Sequence, residues 1–79
     1  MVNITHKNYR FAAVIEGDED GYFAYCPELQ GCYTQGGNYE EALRNLKSAI
    51  QLVVEDMLEC GEDIPQAQSM SLTTVDIVL

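Results

Sequence analysis

NYEEALRNLKSAIQLVVEDMLECG, Asn38 to Gly61, is the stretch whose reading decides the fold. Its apolar residues are Tyr39, Ala42, Leu43, Leu46, Ala49, Ile50, Val53, Val54, Met57 and Leu58. They recur at steps of three and four with no proline among them, which is the helical period. Asn38 can accept a hydrogen bond from the N–H of Glu41, and Glu41 can reach back to the N–H of Asn38, the reciprocal arrangement of a capping box. Glu40 adds negative charge at the positive end of the helix dipole. Gly61 follows the last periodic residue and can take the left-handed conformation that ends helices, with Pro65 beyond it. At 1.5 Å rise per residue such a helix is roughly 30 Å long. A helix of that length needs a surface to bury its apolar stripe, with Leu46 and Ile50 expected at the stripe's centre.

Upstream, YRFAAVIE (Tyr9–Glu16) is rich in aromatic and branched residues and alternates loosely, as a strand does. Phe11, Ala13 and Ile15 fall on one face, and Arg10, Ala12, Val14 and Glu16 on the other. GDEDG (Gly17–Gly21) suits a hairpin turn, and YFAYC (Tyr22–Cys26) is the returning strand. Pro27 stops that strand, and PELQG forms a loop before a short third strand, Cys32–Gln35. Gly36 and Gly37 release the chain into the helix. Downstream, EDIPQAQSMS is a polar connector. LTTVDIVL (Leu72–Leu79) alternates Leu72, Thr74, Asp76 and Val78 against Thr73, Val75, Ile77 and Leu79, and predicts a fourth strand. The order β-β-β-α-β is that of an α+β two-layer domain, a mostly antiparallel sheet covered on one face by one long helix. The 79 residues make one domain, 1–79, without internal repeats.

A chain this short hides only about 60% of its unfolded surface, so association would help its stability. No apolar run approaches the roughly eighteen residues of a membrane span, and the start MVNITHKNYRF is too polar for a secretory leader. The expected location is the cytoplasm, without a membrane partner. The net charge is −9, from 13 carboxylates against 4 bases. That argues against direct nucleic-acid binding, which needs clustered Lys and Arg. It is compatible with a basic protein partner, and equally with an acidic surface that serves solubility alone. Five tyrosines, Tyr9, Tyr22, Tyr25, Tyr33 and Tyr39, fit either half-buried strand packing or an interface.

Candidate chemistry is sparse. Glu16-x-Asp18-x-Asp20-Gly21 opens like a calcium loop, but the position of the closing bidentate glutamate is Pro27 and a strand follows. Cys26, Cys32 and Cys60 form no C-x-x-C pair and His6 is the sole histidine, which leaves a zinc site short of ligands. The cysteines read as reduced, packed side chains and His6 as a solvated residue. The glycines match no phosphate-binding pattern. No metal, cofactor or catalytic residue is assigned, and the chain is not expected to be an enzyme.

The segment DGYFAYCPELQGCYTQGGNYEEALRNLKSAIQLVVEDMLECGEDIP, Asp20–Pro65, resembles the HicB-like antitoxin domain. The match runs through Asp20-Gly21-Tyr22, then Pro27, Leu29, Gly31 and Cys32, then Thr34, Gly36, Glu40, Glu41 and Ala42, and ends at Gly61, Ile64 and Pro65. Tyr9–Glu16 extends it upstream. The resemblance implies a partial RNase H-like fold without the catalytic acids, and the antitoxin half of a type II toxin–antitoxin pair. The implied partner is a small basic HicA-type toxin that cleaves RNA with a histidine, and the implied assembly is a homo-dimer or tetramer. Gly21, Pro27, Gly31, Cys32, Gly36, Asn38, Glu41, Gly61 and Pro65 are then fold-specifying positions. Asp18, Glu19, Asp20 and Tyr22, around the acidic turn, are the candidate partner-binding residues. Many such antitoxins carry a C-terminal DNA-binding module. No basic segment follows the predicted sheet here, so promoter binding is not carried over.

Two other readings stay open. One is a stand-alone oligomeric HicB-like protein of unknown ligand. The other is a metal-dependent nuclease, which would require RNA cleavage with magnesium that is lost on Asp20→Asn. Apolar residues on both faces of the first strand predict, in addition, that the chain does not work as a monomer: an exposed second face and free strand edges would invite aggregation.

Overall fold

The computed structural model describes residues 8–67 and 73–79. Helix α1 spans Tyr39–Glu59 and is capped by the expected residues. Asn38, in extended conformation, accepts the Glu41 N–H at Oδ1, 2.8 Å away. Glu41 returns its carboxylate to the N–H of Gly37 at 3.2 Å, one residue earlier than the Asn38 N–H expected of it. Asn38 thus satisfies one of the donors the helix leaves orphaned, the Glu41 N–H, while Glu41 ties down the peptide just before the cap. At the far end Gly61, with φ of 72°, donates to the Leu58 carbonyl and Glu62 to the Met57 carbonyl, 3.2 and 2.9 Å. This pair of bonds is the Schellman motif.

Three strands precede the helix: β1 (Val14–Asp18), β2 (Gly21–Tyr25) and β3 (Tyr33–Gly36), antiparallel in the order β1-β2-β3. The β1–β2 hairpin closes with Asp18 opposite Gly21, and Asp18 Oδ1 accepts the Asp20 N–H at 2.8 Å, which folds the turn on its own side chain. Between β2 and β3 the loop is drawn shut by the Cys26 N–H bond to the Cys32 carbonyl, 3.0 Å, with the buried Leu29 pinning it to the core.

Tertiary pairing shifts two of the expected strands. The first strand was expected over Tyr9–Glu16, yet β1 begins at Val14 and runs to Asp18. Val14 pairs with Tyr25; the next partners along β2 would approach Pro27, which has no N–H to give a ladder. Residues before Val14 are instead held individually. The Ala12 N–H donates to Glu28 Oε1 at 2.7 Å, the Arg10 N–H to Gln66 Oε1 at 2.9 Å, and the Ala67 N–H to the Arg10 carbonyl at 2.9 Å. The expected fourth strand, Leu72–Leu79, is not formed: Thr73–Leu79 carries no strand and is exposed throughout, while Leu72 lies outside the described residues. Period-two alternation says which side chains share a face, but a strand exists only where a second edge pairs its backbone. The described architecture is therefore β-β-β-α, an α+β arrangement of a three-stranded antiparallel sheet followed by one long helix. His6 also lies outside the described residues.

The register sorts the strands into two faces. Ile15, Gly17, Tyr22, Ala24, Thr34 and Gly36 share the helix side; Val14, Glu16, Phe23, Tyr25, Tyr33 and Gln35 share the other. The helix lies mainly over β3 and β2 and least over β1. Two bonds fasten it: the Thr34 hydroxyl donates to the Ala42 carbonyl at 3.2 Å, and Asn45 Nδ2 donates to the Gln35 carbonyl at 2.8 Å. The core is Ala24, Cys26, Leu29, Cys32, Ala42, Leu46 and Val54, with Tyr9, Phe11, Ile15, Ile50, Val53, Met57 and Ile64 packed half-buried around it. Leu46 sits at the centre as expected, fully buried. Ile50 lies at the margin, and Tyr39, Leu43 and Leu58, read as part of the stripe, are exposed.

Candidate functional site

The acidic turn, the end of β3 and the first turn of the helix meet at one end of the molecule. Their meeting depends on bare backbone. A Cβ on Gly21 would lie 3.0 Å from the Gly36 carbonyl oxygen, and one on Gly36 would lie 2.4 Å from the Ala42 nitrogen. Only two glycines let the hairpin tip, β3 and the helix start come this close. The result is a shallow, open concavity of about 560 Å³ lined by Asp18, Asp20 and Glu41, by Tyr22 and Phe23, and by Gln35, Gly36 and Gly37 among its backbone-rich wall.

Its carboxylates are partly preset. Asp18 spends one oxygen on the Asp20 N–H and Glu41 one on the Gly37 N–H, which orients both groups and leaves their remaining acceptor capacity unspent. Tyr22 is held over Gly17, where a Cβ would fall 2.6 Å from its ring. Among the described residues no Lys or Arg lines the concavity. A surface so built attracts cations and basic side chains, with charge-assisted bonds available to guanidinium and ammonium donors. Among the described residues no group of three or more His, Cys, Asp or Glu side chains is placed to hold a metal ion.

Of the candidate partner-binding residues, Asp18, Asp20 and Tyr22 are brought together in this concavity, and Glu19 projects from the tip beside it without lining it. Phe23, Gln35, Gly37 and Glu41 join the site unforeseen. The GG pair before the cap was the one available signal for a close backbone approach there. Among the fold-specifying positions, Gly31 turns the β2–β3 loop with φ of 77°, Pro27 opens that loop, Cys32 is buried at its close, and Pro65 lies exposed after the helix.

The helix-free face is a second feature. Phe23 and Tyr33 stack across β2 and β3, centroids 5.6 Å apart and planes at 23°. Tyr33 remains 61% exposed, and Tyr25 stands partly exposed beside it. Of the residues expected to make a second apolar face, Val14 lies on this side while Ala12 precedes the strand, and the aromatic rings come from β2 and β3. Nearby, burial raises the thiol pKa of both Cys26 and Cys32 above the ordinary value; for Cys26 bonds to backbone groups partly oppose the shift, and the charge of Glu28 adds to it. Cys60 is exposed. Among the described residues no helix is long and apolar enough to cross a membrane.

Comparison with known proteins gives the arrangement a context. The family described as "HicB_like antitoxin of bacterial toxin-antitoxin system" matches residues 11–76. A UPF0150 protein of Helicobacter pylori is 62% identical over 45 residues, covering 57% of this chain and 62% of that protein. The chain thus matches less than two thirds of that relative's length. A UPF0150 protein of Thermoplasma acidophilum is 38% identical over 65 residues, 81% of this chain and 94% of its own. One of Synechocystis is 37% identical over 67 residues, 82% and 85% of the two chains. No solved structure matches the chain with significance.

Proposed function

Because the chain belongs to the HicB-like antitoxin family of bacterial toxin–antitoxin systems, we propose that it neutralises a small basic toxin of the HicA type by direct binding, and that the acidic concavity is where the toxin docks. The observation that carries this reading is the convergence of Asp18, Asp20 and Glu41 on a hollow that, among the described residues, no basic side chain lines. Family membership supports an antitoxin role and a toxin partner in general. The concavity supplies the chemistry by which a basic partner would be recognised.

The net charge of −9 steers a cationic protein toward the chain before contact, which raises association rates where salt is low. On contact, the free lone pairs of the preset carboxylates accept Arg or Lys donors without first having to be ordered. Tyr22 and Phe23 offer rings against which an arginine stem or guanidinium packs. The chain acts in this reading as a binding partner that covers the RNA-cleaving surface of the toxin, rather than as a catalyst.

The test is co-expression with the product of an adjacent gene encoding a short, basic, histidine-containing protein. The expected outcome is a complex and rescue of growth. Asp18→Asn combined with Asp20→Asn removes two charges while keeping an acceptor at the turn. This variant should bind more slowly at low salt, with the difference from the parent shrinking as salt is added. An unaltered association rate would move the docking site elsewhere. A chain that neither binds nor rescues against such a neighbour would leave the stand-alone oligomeric reading in its place.

A further inference from the structure

Cys26 and Cys32 stand at the neck of the β2–β3 loop, outside the acidic concavity. The ladder between these strands pairs Tyr25 with Tyr33, and the Cys26 N–H donates to the Cys32 carbonyl at 3.0 Å, which carries the register on by one pair. Cys26 therefore faces Cys32. Two residues beyond Ala24 and two before Thr34, both side chains fall on the helix side of the sheet, and both are buried in the one core cluster. Both are free thiols. Directly opposed residues of an antiparallel pair have Cα atoms roughly 4.5–5.5 Å apart, inside the roughly 4.4–6.8 Å that a disulfide spans.

We propose that Cys26 and Cys32 form a reversible disulfide when the chain meets a peroxide, so that the neck of this loop is a site of oxidative modification. The two residues line a hollow of about 380 Å³ together with Pro27, Leu29 and Gly31, ample for a molecule little larger than water. One sulfur attacks the peroxide as thiolate. The O–O bond breaks, leaving a sulfenic acid on that cysteine and a hydroxide. The second sulfur then attacks the sulfenic sulfur: the S–S bond forms, the S–O bond breaks, and the displaced hydroxide departs as water with the second thiol's proton. In sum two thiols lose two electrons and two protons, and one peroxide is reduced to two waters.

Strain makes the bond reversible. The Cβ atoms of an opposed pair lie roughly 4.5–5.5 Å apart and those of a disulfide roughly 3.5–4.5 Å, so closure draws the neck in by on the order of 1 Å. The neck can give, because the Cys32 N–H turns back to the Leu29 carbonyl at 3.2 Å and leaves one ladder bond there instead of two. A disulfide closed under strain is easily reduced, the property of labile rather than structural bonds. At rest, burial holds both thiols above their ordinary value, so little thiolate is present and the pair stays reduced until oxidant persists. Oxidation also removes a donor. The Cys26 S–H lies 3.6 Å from Glu28 Oε1, the same oxygen that accepts the Ala12 N–H at 2.7 Å. Loss of that proton leaves the Ala12 bond to Glu28 alone, so the state of the pair is felt in the segment before β1.

The full chain with Cys60→Ser, which removes the exposed thiol and leaves only the pair, tests it. Hydrogen peroxide, followed by alkylation of any remaining thiol, should give a product lighter by two hydrogens, with no added oxygen and no alkyl group. Cleavage after Glu28 by a glutamyl-specific protease should leave the peptides from the two sides of the loop joined until dithiothreitol is added. The amide resonance of Ala12 should shift on oxidation and return on reduction, with the helical circular dichroism retained. Cys32→Ala in the same background should give no joined peptides, and the result for the intact pair stands whether or not that variant folds. A pair that stays unreacted under peroxide overturns the proposal, as do oxygen adducts on separate cysteines or a link between two chains. A link that forms only as the helical signal is lost overturns it too, because the folded neck would then not hold the two sulfurs in reach of each other.

Discussion

Leu46→Ala is the sharpest test of how this small core is held together. Leu46 is the largest side chain with no accessible surface, and its neighbours in the core include Ala24 and Ala42, which have no side-chain length to fold into a void. The truncation removes three carbons, about 2.4 kcal/mol of transfer free energy at roughly 0.8 kcal/mol per buried methylene. The sheet backbone on one side and the helix on the other limit collapse. On the order of 60 Å³ of cavity then remains, adding about 1.5 kcal/mol. The expected loss is about 4 kcal/mol, within the range of Leu→Ala changes in rigid cores. A domain of this length has a total stability of roughly 4–12 kcal/mol, so the variant should be near the edge of folding. Urea unfolding followed by circular dichroism at 222 nm reads the loss through the 21-residue helix, at fixed protein concentration because self-association would enter the midpoint. Leu52→Ala, six residues along the same helix and 68% exposed, is the comparison and should stay within about 0.5 kcal/mol. A Leu46→Ala midpoint equal to that of the parent, or a Leu52→Ala loss as large, would mean that the helix buries a different face.

Gly36→Ala should destabilise sharply, because its Cβ would sit 2.4 Å from the Ala42 nitrogen, a backbone atom that moves only if the helix start moves. Gly37→Ala next to it meets nothing within 4 Å and should leave the melting temperature within a few degrees. Thermal melts of the two variants separate close approach from mere loss of glycine. Stability should also fall in alkali. Burial holds the Cys26 and Cys32 thiols above their unfolded value, so the folded chain keeps protons the unfolded chain has released, and the slope of stability against pH is negative. The contribution is complete below the unfolded thiol value of roughly 8.5 and is lost as pH rises from there through the folded values. Urea midpoints at neutral and alkaline pH should therefore diverge more for the parent than for Cys26→Ala combined with Cys32→Ala. Equal divergence would show that the buried thiols do not govern the effect.

How much of this was legible beforehand depended on how local each feature is. The helix was, since its period, the Asn38 cap and the Gly61 stop all act within a turn of where they stand. The hairpin was legible for the same reason: Asp18 folds the turn on its own side chain. The start of β1 was not, because it is decided by Pro27, thirteen positions away, through the register of β2. Leu72–Leu79 shows the limit most plainly. Its alternation describes a chain ready to pair and carries no information on where the other edge is. At the concavity, Asp18, Asp20 and Tyr22 could be found from the turn they occupy. Glu41 could not, because its cap role was the visible one and its place among the acids arises only when Gly36 lets the helix start settle against the sheet.

The bonds of Arg10 with Gln66 and Ala67 have a kinetic consequence. Every strand pairing here joins neighbours in sequence, and the helix packs back on the strands just before it. Such contacts close short loops and form early. The Arg10 bonds instead span 56 and 57 positions and lie at an exposed margin, so they form late and open first. Their opening frees the connector at the flank of β1 while the buried cluster around Leu46 stays shut. Amide exchange at residues 66 and 67 should then proceed at the rate of that local opening, orders of magnitude faster than global unfolding.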